Sequence, residues 1–279
     1  MTLATWRAGL WAATVLCWVV MAFIGHIMLL TLHEAAHYHL SRRRWLNEAR
    51  GMILGTLSFM PLSVYRHVHR WHHARLGTEH DTEVWPYNLP SVPRWLRVAT
   101  AIVELTISFP FTQVQFLRGL FVVGRVAPRT RMRIALEYLL LVTVWGTAVW
   151  IVTVNHWWEE FLVVLIVPAL GAANVQVWRK FIEHVGLTGH SAATATRCVA
   201  PRDTLGRIVS ALMLNENYHS AHHRFGSLHY TELEEATAKV HATDPDALPV
   251  FPSYFAAFVH MLPALVDPKV GAQWLHGRA

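Results

Sequence analysis

The chain has 279 residues, 53% of them hydrophobic and only 15% charged, with a formal charge of +6. A soluble domain is nearer a quarter charged, so the composition excludes an ordinary globular protein and points to a membrane one. Two cysteines, Cys17 and Cys198, exclude a disulfide framework or a four-cysteine iron–sulfur site, which leaves nineteen histidines as the abnormal figure.

Residues 8–32 form an apolar run long enough to cross ~30 Å of hydrocarbon. The run is too long for a secretion signal, and no A-x-A cleavage site ends it. His26 lies within it, a buried ionisable group that predicts either a cavity or helix packing. The run leads into H-E-A-A-H-Y-H, residues 33–39. On a helix His33 and His37, at i and i+4, share a face, and His39 is turned about 120° away.

Residues 51–65 are too short to span. They are followed by R-H-V-H-R-W-H-H, residues 66–73, in which His69, His72 and His73 stand at i, i+3 and i+4. His80, Asp81 and Glu83 come next; the two acids are candidates to accept the second N–H of a metal-bound imidazole. Residues 98–123 are apolar, but Pro110, Gln113 and Gln115 interrupt them. Both this segment and 51–65 are expected to be interfacial or re-entrant.

Residues 134–154 and 161–178 are the second and third predicted spans, joined by N-H-W-W-E-E. Glu183, a further candidate acid of the same kind as Asp81 and Glu83, and His184, a further candidate ligand, follow in E-H-V-G-L. Further on, N-E-N-Y-H-S-A-H-H, residues 215–223, repeats the i, i+3, i+4 pattern with His219, His222 and His223, and on a continuous helix Asn215 joins that face. The last apolar stretch, around residues 251–266, is expected to lie along the membrane surface. His156, His229, His241, His260 and His276 stand alone and are expected at the surface or interface.

Arginines collect after the first span, before the second and after the third, so the positive-inside rule puts those ends in the cytoplasm. All the histidine clusters then fall on that face. The expected fold is an all-α membrane protein: three transmembrane helices, interfacial or re-entrant helices, and a cytoplasmic histidine-rich cap. With no linker or low-complexity tract, residues 1–279 read as a single domain. No basic stripe with interleaved aromatics argues for nucleic acid. Eight clustered histidines plus His184 exceed the needs of one ion and fill two sites. Imidazole suits iron, copper, nickel and zinc alike.

H-E-A-A-H, H-R-W-H-H and H-S-A-H-H, in that order, resemble the three histidine boxes of the integral-membrane fatty acid desaturase family. The resemblance covers roughly residues 20–230 and includes the acid-containing continuation of the second box, E-H-V-G-L and Asn215. It implies a non-haem di-iron centre on His33, His37, His69, His72, His73, His184, His219, His222 and His223, with Asn215 a water-mediated or outer partner. It further implies that dioxygen and two electrons remove hydrogen from an acyl or other lipid-like chain. The chain departs from many members in having one span before the first box. It also shows no fused cytochrome b5 or ferredoxin-like segment, so a separate electron donor of ferredoxin, rubredoxin or cytochrome b5 type is expected.

Three other readings compete. A lipid hydroxylase would use the same site, since rebound of oxygen differs from a second hydrogen abstraction only in placement of the chain. H-E-A-A-H is also a literal zincin motif with Glu34 as general base, which would leave the other six clustered histidines idle. A metal transporter would place its ligands near the bilayer midplane, not at one face.

Overall fold

The computed structural model describes residues 1–124, 126–243 and 250–275, which leaves His276 outside the described residues. The chain divides into two compact units whose segments alternate along the sequence. The first comprises Met1–Tyr65, Ile107–Gln113 and Arg125–Val177; the second comprises Arg66–Thr106, Val114–Gly124 and Trp178–Ala279.

Helix α1 (Thr2–Arg7) stops at Gly9, whose φ of +68° breaks the helix before α2 (Trp11–Ala36) begins. Helices α3 (Arg44–Leu57), α4 (Leu62–Arg75), α5 (Arg94–Thr106) and α6 (Ser108–Val122) follow; none reaches the ~20 residues that a spanning helix needs. Then come α7 (Pro128–Val154) and α8 (Trp158–His184). With α2, these are, among the described residues, the three helices long and apolar enough to cross a membrane. The chain is therefore an all-α membrane protein with shorter accompanying helices. The apolar runs underestimated the spans, because helical hydrogen bonding continues past the last apolar residue. Thus His33 lies inside α2, Trp158 opens α8, and His184 closes it.

Within the first unit, small residues let α2 and α8 approach closely. A Cβ added at Gly171 would lie 2.8 Å from the Ala22 Cβ, and one at Gly25 would lie 2.9 Å from the Ala172 Cβ. Residues Leu162–Ile166 of α8 form a π-helical turn, and Trp18 Nε1 donates to the Val163 carbonyl there at 2.8 Å. Trp6 and Arg7 bind Glu159, and Arg7 also pairs with Glu160. Trp145 stacks on Phe59 with centroids 4.1 Å apart and donates to the Thr56 carbonyl. Large apolar side chains such as Val15, Leu139 and Trp150 stay exposed, as a lipid-facing surface requires.

The second unit adds α9 (Thr204–Leu212), α10 (His219–Arg224), α11 (Leu233–Thr243) and α12 (Tyr254–Met261). Strands β1 (Cys198–Val199) and β2 (Val250–Phe251) pair in parallel. Cys198, Tyr218, Ala221 and Leu233 form a small core against α10. Residues 267–274 strap the loop after α4. Val270 N and Trp274 Nε1 donate to the Tyr87 carbonyl, and Arg97 reaches Asp267 and the Pro268 carbonyl.

Candidate metal centre

In the first unit, the i, i+4 spacing at the end of α2 brings the His33 and His37 rings to 4.8 Å between centroids. The helix closes at Ala36, and Tyr38, with a φ of +70°, turns the chain away. Asn47 of α3 pins that turn, donating to the Ala35 carbonyl and accepting from Leu40 N. Glu34 is buried, with one oxygen 3.2 Å from His33 Nδ1 and the other 3.0 Å from His39 Nδ1. His39 therefore meets the acid of the box.

In the second unit, seven imidazoles come together. Three of them have Nδ1 against an acceptor. His69 meets Glu83 at 2.9 Å, His72 meets Asp81 at 2.8 and 2.9 Å, and His184 meets the Ala195 carbonyl at 3.2 Å. An acceptor at Nδ1 holds the neutral ring's proton there and leaves a lone pair on Nε2. The acidic loop is itself fixed: Asn88 Nδ2 donates to the Thr78, Glu79 and Asp81 carbonyls, and Gln115 Nε2 donates to the Glu83 carbonyl.

The Nε2 atoms converge. His73 Nε2 lies 3.1 Å from His69 Nε2 and 3.0 Å from His222 Nε2. His219 Nε2 lies 2.9 Å from His184 Nε2 and 3.1 Å from His223 Nε2. Ligand atoms of His72, His184 and His223 lie within 4.8 Å of one another. The donors thus fall into two groups, one of His69, His73 and His222, the other of His72, His184, His219 and His223. Two nitrogens ~2.1 Å from one ion and at right angles to each other stand ~3 Å apart, so these separations suit shared coordination.

Burial pulls His72 down, but Asp81 and Glu83 outweigh it and hold the ring up to about 9. Burial holds His223 well below its usual value, and the neighbouring imidazoles reinforce the effect. A ring such as His223, kept neutral among other imidazoles, offers its lone pair to a metal ion without first losing a proton.

The other predicted site residues are distributed differently. Glu183 accepts from Arg179 at 2.9 Å and from the Tyr254 hydroxyl at 3.2 Å, with its second oxygen 3.6 Å from His219 Nε2. Asn215 does not share a helix face with His219, because α10 begins only at His219 and Asn215 has a φ of +54°. Its amide donates to the Tyr230 carbonyl at 3.1 Å. His80 is exposed, with its ring 3.9 Å from Glu79 Oε1 and its carbonyl accepting from Trp71 Nε1. His260 is exposed and accepts from Arg197 Nε. Glu216, which the sequence reading passed over, is fully buried beside His219 and His222. Its only sequence signal is a carboxylate three residues before a histidine box.

A family model described as "Fatty acid desaturase" matches residues 9–255. A Delta(12) fatty acid desaturase of Calendula officinalis is 28% identical over 102 residues, covering 33% of this chain and 27% of that protein. A Delta(12)-acyl-lipid-desaturase of Punica granatum is 26% identical over 109 residues, covering 36% of this chain and 28% of that protein. The matches therefore span little more than a quarter of the length of these relatives.

Proposed function

The chain belongs to the fatty acid desaturase family, and we propose that it is a membrane-bound di-iron oxidoreductase that desaturates an acyl or other lipid-like chain with dioxygen and two external electrons. The observation that carries this reading is the pair of converging Nε2 groups, each backed by Nδ1 acceptors. Loaded with iron, such a site supplies oxygen activation and removal of hydrogen from an unactivated C–H bond. Neutral imidazoles suit iron, and seven in one unit exceed one ion's needs. His33 and His37 enter the ligand set on their motif and its order in the chain.

The protein's own part is to hold and to aim. Glu83 and Asp81 fix the tautomer and tilt of His69 and His72, and the Ala195 carbonyl does the same for His184. The three apolar spans anchor the chain in the membrane, the medium that carries a lipid-like substrate. We assign the histidine-bearing helix ends to the cytoplasmic side on the distribution of arginines. Electrons come from a separate ferredoxin, rubredoxin or cytochrome b5 type carrier. A single desaturase-like domain over residues 1–279 accounts for the two units, because neither is a continuous stretch of chain. A zincin role for Glu34 is disfavoured, since its oxygens engage His33 and His39.

The test is lipid analysis by mass spectrometry in a host expressing the chain, beside a His219→Ala, His222→Ala variant. A new double bond that disappears in the variant is expected. An alcohol without an alkene would overturn desaturation.

A further inference from the structure

The acids behind the second unit's histidines are not equivalent. Glu83 backs His69, and Asp81 backs His72. Glu216 stands behind two rings at once. Its Oε2 lies 3.6 Å from His219 Nδ1, and its Oε1 lies 3.5 Å from His222 Nδ1. The inner nitrogens of those rings go to different groups: His219 Nε2 lies 2.9 Å from His184 Nε2, and His222 Nε2 lies 3.0 Å from His73 Nε2. Behind the carboxylate, Arg179 Nη1 lies 3.2 Å from Oε2 and also holds Glu183 at 2.9 Å.

We propose that Glu216 is a positioning residue shared by both metal sites, so that one buried carboxylate sets the affinity of the two ions together. This rests on the di-iron reading above. The 3.5–3.6 Å separations are ion-pair rather than hydrogen-bond distances, so the coupling is carried chiefly by charge. A negative charge behind each ring favours the tautomer with Nδ1–H, leaves the Nε2 lone pair inward and raises its basicity. The geometry explains why a glutamate is needed: its two oxygens divide between two rings about one turn apart on the same face of α10. Arg179 offsets part of the charge and fixes the side chain from behind. A glutamine of the same shape loses the charge, and its NH2 group confronts one of the two Nδ1–H donors.

The experiment titrates Co²⁺ into the detergent-purified full chain against a chromophoric chelator, following both equivalents and the cobalt d–d absorption. Wild type, Glu216→Gln, Glu216→Asp and Asp81→Asn are compared, with far-ultraviolet circular dichroism as the check on folding. Glu216→Gln is expected to weaken both equivalents by roughly 10- to 100-fold and to shift the spectrum of both. Asp81→Asn should weaken one. Glu216→Asp, which keeps the charge but sets it back, should weaken both by less than glutamine does. A folded Glu216→Gln that weakens only one equivalent, or neither, overturns the proposal. If the glutamine variant does not fold, wild-type affinity for either equivalent in Glu216→Asp overturns it instead. A wild-type chain that binds fewer than two ions overturns the di-iron reading itself, whatever the variants do.

Discussion

Replacing Gly171 by alanine should destabilise the first unit through a single contact. The new methyl would lie 2.8 Å from the Ala22 Cβ, whereas ordinary contact begins at 3.4 Å, so α2 and α8 must part by about 0.6 Å. Overpacking of this kind costs ~1–3 kcal/mol. Alanine recovers about 1 kcal/mol through its better helix propensity, which leaves a net loss of up to about 2 kcal/mol. At about 2–4 °C per kcal/mol for a chain of this size, the midpoint of thermal unfolding in detergent should fall by several degrees. The Ala22→Gly change removes the opposing methyl, so the double variant should regain most of the loss. A double-mutant cycle followed by tryptophan fluorescence measures that coupling. Effects that add to within ~0.5 kcal/mol would refute the close crossing of the two spans.

Other consequences are equally direct. Arg97→Leu strips the strap of its buried guanidinium, which binds Asp267 and the Pro268 carbonyl and covers the Trp274 ring. Because Asp267 is 30% exposed, the expected loss is about 2 kcal/mol, below the usual figure for a broken buried pair, with faster proteolysis of residues 267–274 as the readout. Burial pushes the Cys198 thiol up to about 12. In a Cys17→Ser background its alkylation at pH 8 should therefore run on the order of 1,000-fold slower than a free thiol's, until the chain is unfolded. Wild-type rates in the native protein would contradict the burial. Stripping metal with a chelator should lower the unfolding midpoint, by the equivalent of about 2.7 kcal/mol where the free ion had stood at 100 times its Kd. The His219→Ala, His222→Ala variant should respond much less, and an equal response would place the bound metal elsewhere.

The spans were legible because lipid imposes a composition on the chain, and long apolar helices have few other uses. The box histidines were legible because i, i+3 and i+4 offsets have a fixed meaning on a helix. Where the helix was absent the same inference failed: Asn215 lies four residues before His219, but it is itself left-handed and the helix starts only at His219. Asp81 could be found because it follows its histidine closely in the chain. The Ala195 carbonyl behind His184 had no signal, since every residue carries one. Glu216 was hidden for another reason: it precedes the helix, and its oxygens face His219 and His222 only through the backbone turn that leads into α10.

The π-helical turn in α8 carries a consequence for how this chain can vary. A π turn holds one residue more than an α turn, which offsets the side chains before it from those after it by about 100°. Trp158 and Glu159 lie on one side of Leu162–Ile166, and Gly171 and Ala172 lie on the other. The extra residue sets the phase between the end that Trp6 and Arg7 hold and the face that meets Ala22 and Gly25. Leu162, Val164 and Leu165 are exposed apolar residues, so their identities are free to drift among aliphatic side chains. Their number is not. Deleting any one would keep the span long enough for the bilayer yet rotate one end against the other, so a one-residue deletion there should harm the protein more than several substitutions.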